Sequence, residues 1–217
     1  MRHRTVLFDL DGTLVDHFAA IERAHAHTLR QLGLPTPTTA QVRAAVGGGL
    51  EVAISRLAGP ERVAAALAIY RPYWDATMLD DVQLLPGARE LLTALRQQGA
   101  QTAIFTNKHG PSSRRVCEQL GLTGLLDGNF GATDTPWLKP APEFAVHALS
   151  ALGATAATTA LVGDSPYDLA AARNAGFEFY GVTTGTHTAE ELRAAGAVHV
   201  FSSLTELIPV LAGEPPF

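Results

Sequence analysis

Four uncharged runs, Thr5–Phe8, Thr102–Phe105, Thr159–Val162 and Phe179–Val182, decide the class of fold. Each is rich in β-branched, aromatic and aliphatic side chains and shows no polar alternation. A strand without alternation is buried on both faces. From Pro86 onward such runs alternate with helical patterns over residues 86–98, 112–120, 142–152 and 167–175, closed by Gly99, Gly121, Gly153 and Gly176. Shorter strands are expected at Asn129–Ala132 and Val198–Phe201. Strands alternating with helices predict the α/β class: a Rossmann-like parallel sheet with helices on both faces.

Between Val15 and Asp81 the character is different, with no strand signal. Helical patterns cover residues 18–32, a stretch N-capped at Thr39 and running through Ala45, residues 50–57 and residues 61–78. Gly33, Pro35 and the run Gly47-Gly48-Gly49 separate them. The block is too long for a crossover connection and has apolar faces of its own. The expected organisation is a Rossmann-like core of residues 1–14 and 84–217, with an inserted α-helical cap domain at 15–83.

A net charge of −5 in 217 residues gives no electrostatic reason to expect nucleic acid or an anionic membrane as partner. Cys117 is the only cysteine, so no intrachain disulfide forms. Its helical context predicts a packed thiol, not a nucleophile. No apolar stretch approaches the ~18 residues of a membrane span. Met1-Arg2-His3-Arg4 leads straight into a strand that ends in acids, without the apolar stretch of a signal peptide, and a cytoplasmic location is the expectation. The 16 basic residues include only two lysines, Lys108 and Lys139. Against that preference for arginine, a retained lysine suggests a need for a compact ammonium.

In open parallel sheets, ligands bind beyond the carboxyl ends of the strands. There this chain carries Asp9 and Asp11, Thr106-Asn107-Lys108, the Lys139 loop, and Asp164-Ser165 with Asp168. Three converging acids, Asp9, Asp11 and Asp164, do not all stay ionised without a cation among them. An all-oxygen donor set without Cys or His points to a hard ion such as Mg²⁺. Thr106, Lys108 and Lys139 supply donors and positive charge for an anion. A metal, donors and a free carboxylate are what phosphoryl transfer to an aspartate requires. Asp168, at a helix start, fits an N-capping role equally well.

Four segments together resemble the haloacid dehalogenase superfamily, and within it the phosphoglycolate phosphatase-like branch. They are Asp9-Leu10-Asp11-Gly12-Thr13-Leu14, Phe105-Thr106-Asn107-Lys108, Leu138-Lys139-Pro140-Ala141-Pro142-Glu143, and Val162-Gly163-Asp164-Ser165 with Asp168. The resemblance implies that Asp9 is the nucleophile and Asp11 the general acid and base. It implies that Asp9, the Asp11 carbonyl and Asp164 hold Mg²⁺. Thr106 and the Asn107 amide would bind phosphoryl oxygens, with Lys108 and the flexible turn at Gly12 nearby. Lys139 would orient Asp9 and stabilise charge, with Asp168 and Ser165 behind it. Gly47, Gly48 and Gly49 resemble the cap's substrate-facing loop, and Arg43 and Arg56 flank it as candidates for a substrate carboxylate. The cap departs from the family's usual acid-Ser after the first motif, carrying Asp16-His17 instead.

The expected function is therefore Mg²⁺-dependent hydrolysis of a small phosphorylated, phosphoglycolate-like metabolite through an aspartyl phosphate. Asp11 argues against a dehalogenase, which needs no proton donor for halide. A cap without lysine argues against a phosphonatase. A sugar phosphomutase, a pyrophosphatase or a nucleotide monophosphatase stay open as alternatives, and a non-catalytic binding protein is expected to show a broken motif that is not seen. Oligomeric state is not legible.

Overall fold

A computed structural model describes residues 2–213 of the chain. Six parallel strands form the main sheet: β1 (Thr5–Phe8), β4 (Gln101–His109), β5 (Gly128–Ala132), β6 (Thr159–Gly163), β7 (Glu178–Val182) and β8 (His199–Phe201), in the order β5-β4-β1-β6-β7-β8. β1 lies between β4 and β6, with Leu7 opposite Ala103 on one side and Leu161 on the other. Side chains alternate across a strand. Val6 and Phe8 accordingly join one core and Leu7 the other, all fully buried. This is why the run has no polar position.

The first core packs α5 (Ala88–Gln97), α6 (Gly110–Gln119) and α10 (Leu204–Ala212) onto one face through Leu91, Leu95, Val116 and Leu207. The second packs α7 (Pro142–Leu152), α8 (Pro166–Ala175) and α9 (Ala189–Ala194) onto the other through Phe144, Ala148, Leu169 and Leu192. Cys117 lies buried in the first core, and burial pushes its thiol pKa up to about 12. From β1 the chain builds outward first through β4 and β5, then on the other side through β6, β7 and β8. The carboxyl ends of β1, β4 and β6 flank the point where that direction reverses, where parallel sheets leave a crevice.

Four helices, α1 (Phe18–Gln31), α2 (Thr39–Ala45), α3 (Leu50–Ala58) and α4 (Val63–Thr77), stand over this crevice around their own apolar cluster, which includes Ile21, Leu29, Ile54, Tyr70 and Trp74. A two-stranded antiparallel ribbon, β2 (Val15–Asp16) with β3 (Gln83–Leu84), joins this layer to the sheet.

Several elements differ from expectation. β2 falls where no strand was expected, because a two-residue strand shows no periodicity and exists only through its partner. β4 runs on through Thr106, Asn107 and Lys108, expected as loop, with a register shift against β5 between Phe105 and His109. The polar end of a strand that faces a site reads as loop. Thr38 caps α2 in place of Thr39, its hydroxyl accepting from the Gln41 amide at 3.2 Å. α9 and α10 carry no expectation, although Thr188 and Glu191 form a capping box that marks the start of α9. Pro209 inside α10 hides that helix.

Candidate active site

The turn after β1 is built around Gly12, whose φ of +83° lies in the left-handed region. A Cβ there would press on the Gly185 backbone and the Asp164 carboxylate. The turn sends Asp9 and Asp11 to different partners. The Lys139 ammonium stands 2.8 Å from Asp9 Oδ1 and forms an ion pair with it. Lys139 also donates to Asp168 Oδ1 at 2.6 Å. The second Asp168 oxygen accepts from the Ser165 amide at 3.0 Å and the Ser165 hydroxyl at 2.6 Å. Asp168 is thus a first-turn helix residue and a lysine partner at once.

Asp164, at the end of β6, accepts from the Thr186 amide at 2.7 Å, the Thr186 hydroxyl at 2.9 Å and the Thr13 hydroxyl at 3.2 Å. Burial, Asp9 and Asp168 together push its pKa up to about 7. Burial likewise raises Asp9, opposed by Lys139. One oxygen each of Asp9, Asp164 and Asp168 lie within 4.8 Å of one another. Asp9 and Asp164 line the cavity and Asp168 does not, so the first two are the carboxylates open to a cation. Two buried carboxylates this close, both raised by burial, fit a hard divalent ion between them. The Asp11 side chain takes no part in this cluster.

Asp11 faces the other way. Lys108 donates to both its oxygens, at 3.1 and 2.8 Å, and His17 Nδ1 lies 3.1 Å from Oδ1. Burial alone would raise the Asp11 pKa; Lys108 and His17 outweigh it and hold the group well below the usual carboxylate range. His17 Nε2 lies 2.5 Å from the Met78 carbonyl. A carbonyl only accepts, so Nε2 is the donor in that contact. The same Lys108 ammonium sits 4.5 Å over the Trp74 ring.

Asn107 ties three segments together. Its Nδ2 donates to the Gly47 and Lys139 carbonyls, both at 3.0 Å, and its Oδ1 accepts from the Lys139 amide at 2.7 Å. A cavity of about 430 Å³ opens from Asp9, Asp11, Thr106, Asn107, Lys108, Asp164 and Ser165 toward the helical layer, where Gly47, Gly48 and Gly49 line it.

Three expected site residues stand elsewhere. The Gly12 amide donates to the Val15 carbonyl at 2.8 Å, so it shapes the turn and is not free for a phosphate. Arg43 is outside the cavity, over the Phe18 ring and donating to the Gly185 carbonyl at 3.2 Å. Arg56 is also outside, donating to the Ala45 carbonyl at 3.2 Å and the Tyr167 hydroxyl at 2.9 Å. Both arginines satisfy carbonyls and bridge the two layers; a substrate carboxylate would have to compete for them. Sequence reasoning missed His17, Thr13 and Thr186. Small polar residues just after the β7 run, Thr183-Thr184-Gly185-Thr186, were the available signal for the last.

The profile of the haloacid dehalogenase-like hydrolases matches residues 6–182, from the first residues of β1 to the end of β7. The chain belongs to this family. It is 39% identical over 209 residues to the protein named "Probable phosphatase IndB" of Dickeya dadantii, covering 94% of this chain and 91% of that one. It is 31% identical over 215 residues to a phosphoglycolate phosphatase of Yersinia pestis, covering 96% and 93%. A solved structure from Lactobacillus delbrueckii subsp. bulgaricus superposes with a TM-score of 0.91 at 24% identity, covering 99% of this chain and 100% of that one. A haloacid dehalogenase-like family hydrolase of Streptococcus pneumoniae superposes at 0.88 with 25% identity, covering 96% and 98%. This hydrolase of the haloacid dehalogenase-like family therefore shares its whole architecture, helical layer included, with its relatives. No helix among the described residues is long and apolar enough to cross a membrane.

Proposed function

We propose that the chain is a magnesium-dependent phosphatase acting on the phosphate monoester of a small metabolite, with Asp9 as nucleophile. One observation carries the reading. Asp9 is a buried carboxylate ion-paired with Lys139 and set beside Asp164, at the floor of a cavity that Thr106 and Lys108 also line. Relatives named as phosphatases support it.

In this reading Asp9 attacks phosphorus and the ester P–O bond breaks. The leaving oxygen takes a proton from Asp11. Asp11 then accepts a proton from the attacking water, and the bond between phosphorus and Asp9 breaks to release inorganic phosphate. Asp9 and Asp164 with the Asp11 carbonyl would hold Mg²⁺, which lowers repulsion between the carboxylate and an anionic phosphoryl group. Lys139, pinned by Asp168, keeps positive charge beside Asp9 through both steps. Asp11 must gain a proton before it can give one, and Lys108 opposes that. An arriving phosphoryl group competes for Lys108, which weakens its grip on Asp11 and raises the proton affinity of the acid. Residues 15–83 act as the cap, closing the cavity from water.

Phosphate release from a panel of small esters, with and without Mg²⁺, tests the reading. Asp9→Asn should remove turnover and keep the far-ultraviolet circular dichroism of the wild type. A phosphoryl group on the Asp9 peptide after acid quench should be seen by mass spectrometry. Turnover surviving in Asp9→Asn would refute the nucleophile.

A further inference from the structure

Beyond the acids, the cavity wall is aromatic and apolar. It includes Ile21, Val46 and Leu50, and the rings of His25, Tyr70 and Trp74. His25 and Tyr70 have centroids 4.9 Å apart, and Tyr70 and Trp74 are stacked at 5.7 Å with 20° between planes. His25 is 1% exposed and its Nδ1 has no hydrogen-bond partner among the described residues. Burial lowers its pKa to about 4, so the ring is neutral near pH 7.

Of the lysines and arginines around this space, all but Arg71 are engaged. Lys139 is held by Asp9 and Asp168. Lys108 is held at Asp11, at the phosphoryl end. Arg43 and Arg56 serve carbonyls outside the cavity. Arg71 lines the rim, where it is exposed to solvent, as are Glu51 and Asp75. A carboxylate placed near the phosphoryl group would lose its water and find only the solvated Arg71 out at the rim, which is costly. A volume of about 430 Å³ falls in the range of roughly 300–1,000 Å³ that suits drug-sized ligands. A two-carbon carboxylate would leave most of it empty.

We propose that the physiological leaving group is an uncharged alcohol carrying a flat ring, packed against Ile21, Tyr70 and Trp74 with a polar group at His25. This rests on the phosphatase reading and narrows its substrate class away from carboxylate esters. Its unpartnered buried nitrogen is the second observation: a buried polar group without a partner is costly unless a ligand supplies one.

The test compares kcat/KM of the Mg²⁺-loaded enzyme for phenyl phosphate and a pyrimidine nucleoside 5′-monophosphate against phosphoglycolate and glycerol phosphate. At least one ring-bearing ester should exceed both others by tenfold or more. His25→Leu and Trp74→Leu should each narrow that ratio threefold or more. Calorimetric titration of Asp9→Asn with the same esters should give the same ranking in affinity, and this measurement stands even where the cavity variants fold poorly. Phosphoglycolate equal to or better than every ring-bearing ester, in turnover or in binding to Asp9→Asn, overturns the proposal. So does an equal loss on all four esters in both variants. Turnover with the reversed ranking leaves the phosphatase reading standing, whereas wild-type enzyme that releases phosphate from none of the esters ends both.

Discussion

At the residue scale, His25 and His17 show how one residue type takes two environments. His25 has a folded-state pKa near 4 against 6.5 for the free side chain. Between those values the unfolded chain binds a proton that the folded chain refuses. His25 therefore costs nothing above pH 6.5, and stability is lost as pH falls from there toward 4. The 2.5-unit gap between those two values sets an upper bound of about 3 kcal/mol. His25→Phe should flatten this slope: in urea titrations, the wild type loses more stability between pH 7 and 4.5 than the variant. His17, by contrast, bridges the Met78 carbonyl and Asp11. His17→Phe keeps a ring and removes both bonds, leaving the buried Met78 carbonyl unpaired at a cost of about 1–3 kcal/mol. It should lower kcat more than it raises KM in steady-state kinetics, because Asp11 would act on the reacting oxygens. The Asp16-His17 pair was visible as a departure from the family pattern. Its role was not, because Met78 lies 61 residues away along the chain.

At the scale of elements, the carboxyl end of β4 joins parts that are far apart in sequence. Asn107 holds the Gly47 loop of the helical layer and both backbone groups of Lys139. Asn107→Ala would strand the buried Lys139 amide. The expected loss is about 1–3 kcal/mol in chemical denaturation. Turnover should fall as well, since Lys139 sits 2.8 Å from Asp9. Four expected strand runs, all on the main sheet, are observed as β1, β4, β6 and β7. They were legible because burial on both faces removes polar residues from a strand. The polar extension of β4, the two-residue ribbon and the Pro-containing α10 were not, because tertiary pairing and packing stabilise them and local pattern does not.

Across the whole molecule, directional bonds fasten the helical layer to the sheet, among them Arg43 to the Gly185 carbonyl, Arg56 to the Tyr167 hydroxyl, Asn107 to the Gly47 carbonyl, the Trp74 indole to the Ser112 hydroxyl and Arg115 to the Asp75 carbonyl. The two arginine bonds from Arg43 and Arg56 are partly solvated and suited to breaking and re-forming as the cavity opens. Arg43→Ala with Arg56→Ala should lower hydrogen-exchange protection at residues 47–50 while the amides of β1 and β6 keep theirs. The KM of the preferred ester should rise several-fold. Unchanged protection at residues 47–50 would show that these arginines do not hold the closed arrangement.

Residue order alone carries the class of fold, and it points to a candidate chemical end of the site. Unbroken strand runs require a buried parallel sheet, and acids, amides and lysines at their carboxyl ends have to meet there. Asp9, Asp11, Thr106, Lys139 and Asp164 were legible because each follows or neighbours a strand end. Only the tertiary structure decided how the charges pair. It placed Asp11 with Lys108 and His17, Lys139 with Asp9 and Asp168, and Asp164 with Thr186. It also turned Arg43 and Arg56 away from the cavity and gave the far wall to His25, Tyr70 and Trp74. The physical reason is range. Strand and helix patterns repeat over a few residues, whereas an ion pair or a cavity wall is set by which distant surfaces the packing brings within a few ångströms.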